Sequence, residues 1–276
     1  MTHHVVVTSR DLELFNLLVR AKWLSTSQIR RRFFPGASLN AVQKRLRRLA
    51  LGGHLKVGRT GRTSESLFSL TGTSRGLIGF EHQAARLPQQ LGHFAFINDL
   101  RLWFESVAAG RFLAEWEYRP FSTKGATVPD ALVRLEHLDQ PLLYAIEVDC
   151  STENVRVLVG KLRGYRSSNQ RINGVLIWAP GPRRLRAIAA AVLRSDVGAE
   201  IGPVWLADSN ELPRTDRCSA TFISLDGVAS GASPARVSLE TLVASPLSLS
   251  SHEERLMPVS VDPRVGSGSV SSPISV

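Results

Sequence analysis

The chain has 276 residues, 43% hydrophobic and 21% charged, with 34 Lys and Arg against 24 Asp and Glu. That length suits about two domains of roughly 100–200 residues each. No run approaches the roughly 20 apolar residues of a membrane helix, residues 1–10 lack the apolar core of a signal peptide, and Cys150 and Cys218 alone make neither a disulfide framework nor a four-cysteine zinc site.

A secreted, membrane or zinc-finger protein is thereby excluded, and a reducing, cytoplasmic location is expected. The charge is unevenly spread. Residues 1–90 hold 15 basic and four acidic side chains, a net +11, while the remainder is at −1. A cationic first third joined to a near-neutral remainder points to a module that binds a polyanion, with nucleic acid the leading partner.

The first elements are helical. Residues 10–21 place Leu14, Leu17 and Leu18 on one face behind a Ser9 cap. A second helix follows the Ser25 cap, carries Ile29 and Phe33, and stops at Pro35-Gly36. A third runs from near Ser38 to Gly52-Gly53 with Val42, Leu46 and Leu49 buried, and strands follow at 55–59 and 66–70. Three helices and a hairpin are the order of a winged helix-turn-helix. With the apolar stripe inward, Asn40, Gln43, Lys44 and Arg47 face outward with Arg48 beside them. Asn and Gln pair bidentately with adenine, and Arg with guanine, from a helix in the major groove. Arg59 and Arg62 on the wing would reach phosphates or the minor groove, and Arg30, Arg31 and Arg32 add backbone contacts. The alternative is an ordinary solvated face, since Arg and Lys favour helices anywhere.

A connecting helix over 74–85 leads to Pro88, which divides a first domain (1–88) from a second (89–226). The second opens with a helix over 93–109, then strands at 112–119, 128–135 and 142–149, a helix over 153–167 and an apolar strand at 174–178. Pro180-Gly181-Pro182 precedes a helix over 183–193, and 204–206 forms a last short strand. This is the order of an α/β sandwich in an α+β or α/β protein. From 227 to 276 the composition turns to Ser, Pro, Gly and Val and predicts a disordered tail.

Chemistry concentrates at Pro129-Asp130 and Glu147-Val148-Asp149. If 128–135 and 142–149 form a hairpin in which 135 meets 142, Asp130 lies opposite Glu147, and alternation puts Asp149 on the face of Glu147. Three converging carboxylates repel one another unless a cation sits among them. Oxygen ligands without a His or Cys pair favour Mg²⁺ or Mn²⁺ over Zn²⁺. On the next helix Glu153, Val157, Lys161 and Tyr165 recur every four residues, so Lys161 can approach the acids; the alternative is an exposed, unpaired lysine. Glu117 and Glu105 are candidates to complete a metal shell. His93 suits a capping or packing role, and Tyr165 suits the core better than a covalent nucleophile.

Asp130, Glu147-x-Asp149 and a following basic residue resemble the PD-(D/E)xK nuclease pattern, with Asp149 where that pattern has its lysine and Lys161 supplied from the next helix. The order of Thr8-Ser9-Arg10-Asp11-Leu12-Glu13-Leu14, Gln28-Ile29, Phe33-Phe34-Pro35-Gly36, Arg45-Leu46-Arg47-Arg48-Leu49 and Leu70-Thr71-Gly72-Thr73-Ser74-Arg75-Gly76 resembles the replication-relaxation family. Gly92-His93, Pro129-Asp130, Glu147-Val148-Asp149-Cys150-Ser151-Thr152-Glu153 and Lys161-Leu162-Arg163-Gly164-Tyr165 continue it, over about residues 8–195. The resemblance implies a restriction-endonuclease-like second domain, a role in replication, relaxation or transfer of plasmid-like elements, and kinship with MOB-C class conjugative relaxases, which nick DNA at a metal-dependent site rather than through a tyrosine.

The function expected is therefore a site-directed DNA nickase or endonuclease, with Asp130, Glu147 and Asp149 holding the metal and Lys161 stabilising the phosphate charge. Its partners are double-stranded DNA, single-stranded at a nick, and a second copy in a homodimer is open; a membrane is not expected. The rival is a non-catalytic winged-helix replication initiator or transcription regulator with a degenerate nuclease domain.

Overall fold

Each of the first three helices begins at a side chain that satisfies its free amides. The Thr8 hydroxyl accepts from the Asp11 amide and the Asp11 carboxylate accepts from the Thr8 amide, opening α1 (Ser9–Ala21) one residue before the expected Ser9 cap. Ser25 and Gln28 repeat this capping box at α2 (Thr26–Phe33), and Ser38 caps α3 (Leu39–Leu51). Leu14, Leu18, Ile29, Val42, Leu46 and Leu49 close over one shared core. β2 (Leu55–Gly58) pairs antiparallel with β3 (Leu67–Leu70), whose other edge takes β1 (Leu24–Ser25), a two-residue strand too short to show in the sequence pattern. The element order is that of a winged helix-turn-helix.

These positions come from a computed structural model that describes residues 5–58, 65–80, 85–107, 110–135, 141–151, 153–165, 172–195, 197, 201–211, 221–225 and 235–238. Arg59 and Arg62 lie outside the described residues, as does Cys218. α4 (Gly72–Leu77) is shorter than the helix expected to reach 85, because Gly79 turns the chain at a φ of 71°.

α5 (Leu91–Val107) ties the opening module to the rest of the chain. Asn98 donates to the carbonyls of Ala21 and Trp23 at the end of α1, satisfying acceptors that the helix leaves open. Gln28 donates to the Ala95 carbonyl, Arg31 pairs with Asp99, and Leu102 enters the first core.

Seven strands make the second sheet among the described residues: β4 (Gly110–Ala114), β5 (Ala131–Leu135), β6 (Leu142–Val148), β7 (Gly174–Ala179), β8 (Val204–Asp208), β9 (Thr221–Ser224) and β10 (Ala235–Ser238). They lie in the order β10-β9-β8-β7-β6-β5-β4, parallel only along β6, β7 and β8. One face receives α5, where Trp103 meets Trp178 and Phe104 meets Phe112. The other receives α7 (Val155–Gly164) and α8 (Gly181–Arg194), whose Leu158, Leu162, Leu185 and Ile188 bury Leu132, Ala145 and Ile177. The result is the expected α/β sandwich. No helix of the described residues is long and apolar enough to cross a membrane.

Three expectations are corrected. The strand at 112–119 ends at Ala114 and becomes α6 (Glu115–Tyr118), because the Glu117 carboxylate folds back to accept from the Ala114 amide. Val204–Asp208 is not the last strand, since β9 and β10 extend the sheet antiparallel. Residues 235–238 within the supposed tail are therefore an edge strand on β9; 239–276 lie outside the described residues.

Candidate functional site

The β5–β6 ladder runs from Leu135↔Leu142 to Ala131↔Ile146, so its next step sets Asp130 against Glu147. Alternation turns both toward α7, because Leu132 and Ala145, two residues away on each strand, lie in the core beneath that helix. Glu147 is 2% exposed and Asp130 8%. Lys161, on the second turn of α7, reaches down between them: its Nζ is 2.5 Å from Glu147 Oε2 and 3.4 Å from Asp130 Oδ1. Asp130 Oδ2 accepts from the Val148 amide at 2.8 Å and lies 3.2 Å from His93 Nε2. The Tyr165 hydroxyl donates to Glu147 Oε1, and the Tyr118 hydroxyl to the carbonyl of Pro129.

The charges in this cluster are strongly coupled. Burial raises the Glu147 pKa well above the carboxylate range, and the neighbouring Asp130 adds to it against the opposing pull of Lys161. Burial acts on Asp130 too, but the His93 contact, Lys161 and the Val148 amide outweigh it and lower its pKa. Burial works against the Lys161 charge, yet the two carboxylates raise its pKa overall. Tyr118 is driven far above a phenol's ordinary value by burial and by the two acids, so it stays a donor to Pro129.

Asp149 does not join this pair. Its carboxylate takes Arg184 Nε at 2.6 Å and the Ser151 amide at 2.5 Å, so the trio of acids expected from alternation is a duo with a separately neutralised neighbour. Glu105 and Glu117, expected as additions to a metal shell, stand apart from the Asp130–Glu147 pair. They face the opening module, where Arg20 and the fully buried Arg101 pair with both, and both arginines donate to the Phe112 carbonyl. His93, assigned a capping or packing role from sequence, instead meets Asp130, and Tyr165, though buried as a core residue would be, holds Glu147. Arg184 carried no sequence signal. His93 could have been found from the aromatic-amide run Gly92-His93-Phe94-Ala95-Phe96-Ile97-Asn98, whose polar members at 93 and 98 interrupt an apolar stretch.

Among the described residues no three His, Cys, Asp or Glu side chains stand together so as to hold a metal ion. The residues that could hold a divalent cation are Asp130 and Glu147, hard and nearly dry oxygen donors that share the Lys161 amine. Magnesium is commonly held by one or two carboxylates with water completing its shell, a donor set of the kind these two residues offer.

On α3, Asn40, Gln43, Lys44, Arg47 and Arg48 are all exposed, opposite the fully buried Val42, Leu46 and Leu49. Arg45 does not join them: it turns back to pair with the buried Asp11 and to bond the Val6 carbonyl.

The family model for replication-relaxation proteins matches residues 15–173, more than half of the chain. The chain belongs to the replication-relaxation family. The replication-relaxation match takes in α2, α3, Asp130, Glu147, Lys161 and Tyr165, while Arg184 lies beyond it. No curated protein matches the chain. Solved structures similar to it include the restriction endonuclease FokI, at 11% identity and a TM-score of 0.30, and FokI bound to DNA, at 12% and 0.29. Each covers 74% of this chain, which spans only 42% and 43% of their lengths.

Proposed function

We propose that this replication-relaxation protein is a DNA-binding, Mg²⁺-dependent nickase or endonuclease of a plasmid or other mobile element. Residues 1–88 read the DNA and 89–226 carry the chemistry. The observation that supports this best is the Lys161 amine between two buried carboxylates on neighbouring strands, 2.5 Å from one and 3.4 Å from the other. Asp130 and Glu147 would hold the ion, which when bound supplies Lewis-acid polarisation of a phosphate and a more acidic water. Asp130 is held ready by the Val148 amide, and Tyr165 fixes the rotamer of Glu147. Lys161, kept charged by the acids, supplies a cation to the phosphodiester as negative charge builds on it. The exposed Asn40, Gln43, Lys44, Arg47 and Arg48 suit a helix lying in the major groove.

The test is relaxation of supercoiled plasmid with Mg²⁺, with wild type and Glu147→Gln compared at equal DNA binding. The glutamine keeps an oxygen for Tyr165 but sets its amide nitrogen against the Lys161 ammonium, so the variant melts lower than wild type yet stays folded at the assay temperature, while relaxation falls by about a hundredfold or more. A wild type inactive on every substrate, including its own origin, overturns the reading. One observation favours a non-catalytic DNA-binding replication initiator or regulator as the second reading: Asp149, which stands where the nuclease pattern has its lysine, is already neutralised by Arg184.

A further inference from the structure

A cavity of about 530 Å³ opens between α1, β3 and the segment that runs from α6 through the 3-10 turn ending at Phe121. That volume lies within the range of small-ligand sites, roughly 300–1,000 Å³. Three aromatic rings line it. Trp116 is fixed by its indole N–H on the Arg20 carbonyl at 2.8 Å and by a stacked contact with Phe94 at 4.5 Å. Phe80 is 38% exposed, and Phe121, directly after Pro120, is 87% exposed.

Basic side chains line its polar side. Lys22, Arg20 and Arg75 stand there; Arg75 donates to the Thr71 carbonyl, and Glu117, the carboxylate among the described lining residues, is held by Arg20 and Arg101. Lys22 has no acidic partner among the described residues. It occupies the cap of α1 at a φ of 61°, a conformation that favours glycine and costs a bulkier residue of order 1 kcal/mol. Glycine at this cap would relieve that strain but would remove the ammonium group from the cavity.

Aromatic rings beside a cation that can accept a phosphate are the elements of a single-stranded nucleic-acid subsite, where bases stack and the backbone is neutralised. We infer that this cleft binds an unstacked segment of single-stranded DNA, with a base against Phe121 and Trp116 and its phosphate at Lys22. The wall carrying Trp116 and Phe121 is hydrogen-bonded through Tyr118 to Pro129, the residue before Asp130, so a strand held here is coupled to the segment that presents the catalytic acid. The inference deepens the proposed function by giving the single strand a place; it rests on DNA as the partner and not on the metal chemistry.

The experiment is fluorescence anisotropy of the full chain, in EDTA, with a labelled oligothymidylate about twelve nucleotides long and, separately, with duplex DNA. Phe121→Ala, at an exposed position that leaves the fold intact, weakens oligothymidylate binding by roughly tenfold. Lys22→Gly, which relieves the backbone, lowers the slope of log affinity against log salt by about 0.7 on the single strand. Duplex affinity stays within twofold for both. Unchanged single-strand binding in both variants, or no binding of the oligothymidylate by a wild type that binds duplex, overturns the subsite while leaving duplex recognition standing. Binding of neither DNA by wild type overturns the subsite together with the DNA reading.

Discussion

At Asp11 a single buried carboxylate carries two jobs, and its balance sets a pH dependence. Burial opposes its charge, but Arg45 and the Thr8 hydroxyl and amide win, so its pKa lies below the ordinary carboxylate value of 3.8. A pKa lowered by folding means stability that is complete above the unfolded value and is lost as pH falls through the folded one. The opening module should therefore lose stability below about pH 3.8 through this group, and Arg45→Met should shrink that component to the part that Thr8 supplies. Thermal melts of both proteins from pH 7 to below pH 3 check it: the variant is lower at pH 7 by about 1–3 kcal/mol, and the gap narrows only as pH falls below 3.8. Arg45 stands between outward-facing neighbours and was not separable from them by composition, because only the three-dimensional turn of α3 over α1 brings it to Asp11.

The β5–β6 hairpin and α7 show which elements a sequence discloses. The register of Asp130 against Glu147 could be read because a short connection and period-two alternation are local facts. The four-residue recurrence on α7 likewise carried Lys161 and Tyr165 toward the sheet. Arg184 on Asp149 was hidden, since it depends on where a crossover sets α8 against the end of β6, 35 residues away. His93 on Asp130 was hidden for the same kind of reason, as it reaches in from the helix on the opposite sheet face.

Close fit at the C-terminal end of α7 gives a further test. A Cβ on Gly164 would stand 2.0 Å from Thr127 Oγ1 and 2.8 Å from Thr127 Cβ, so Gly164→Ala must push the 122–130 loop or the helix aside. We expect a loss of about 1–3 kcal/mol despite alanine's better helix propensity, partly restored by Thr127→Gly. Chemical denaturation of the single and double variants measures it.

At the scale of the molecule, the opening module is tied to the sheet by a knot of four charges among the described residues: Arg20 from α1, Arg101 and Glu105 from α5, and Glu117 from α6. Arg101 is wholly buried, so removing it leaves two largely buried carboxylates to share Arg20 alone. Arg101→Met should cost about 3–5 kcal/mol, whereas pairing it with Glu117→Gln should recover part of the loss. Differential scanning calorimetry of wild type, single and double variants decides this; an additive double variant would mean that the two side chains act independently.

The same knot has a geometric consequence. Because α1 is fastened to α5 and to the strand that borders β5, α3 and the Asp130–Glu147 pair hang from one continuous frame. On the proposed reading the broken phosphodiester would lie at a constant number of base pairs from the recognised sequence, and loosening the knot would blur that spacing before it abolished cutting.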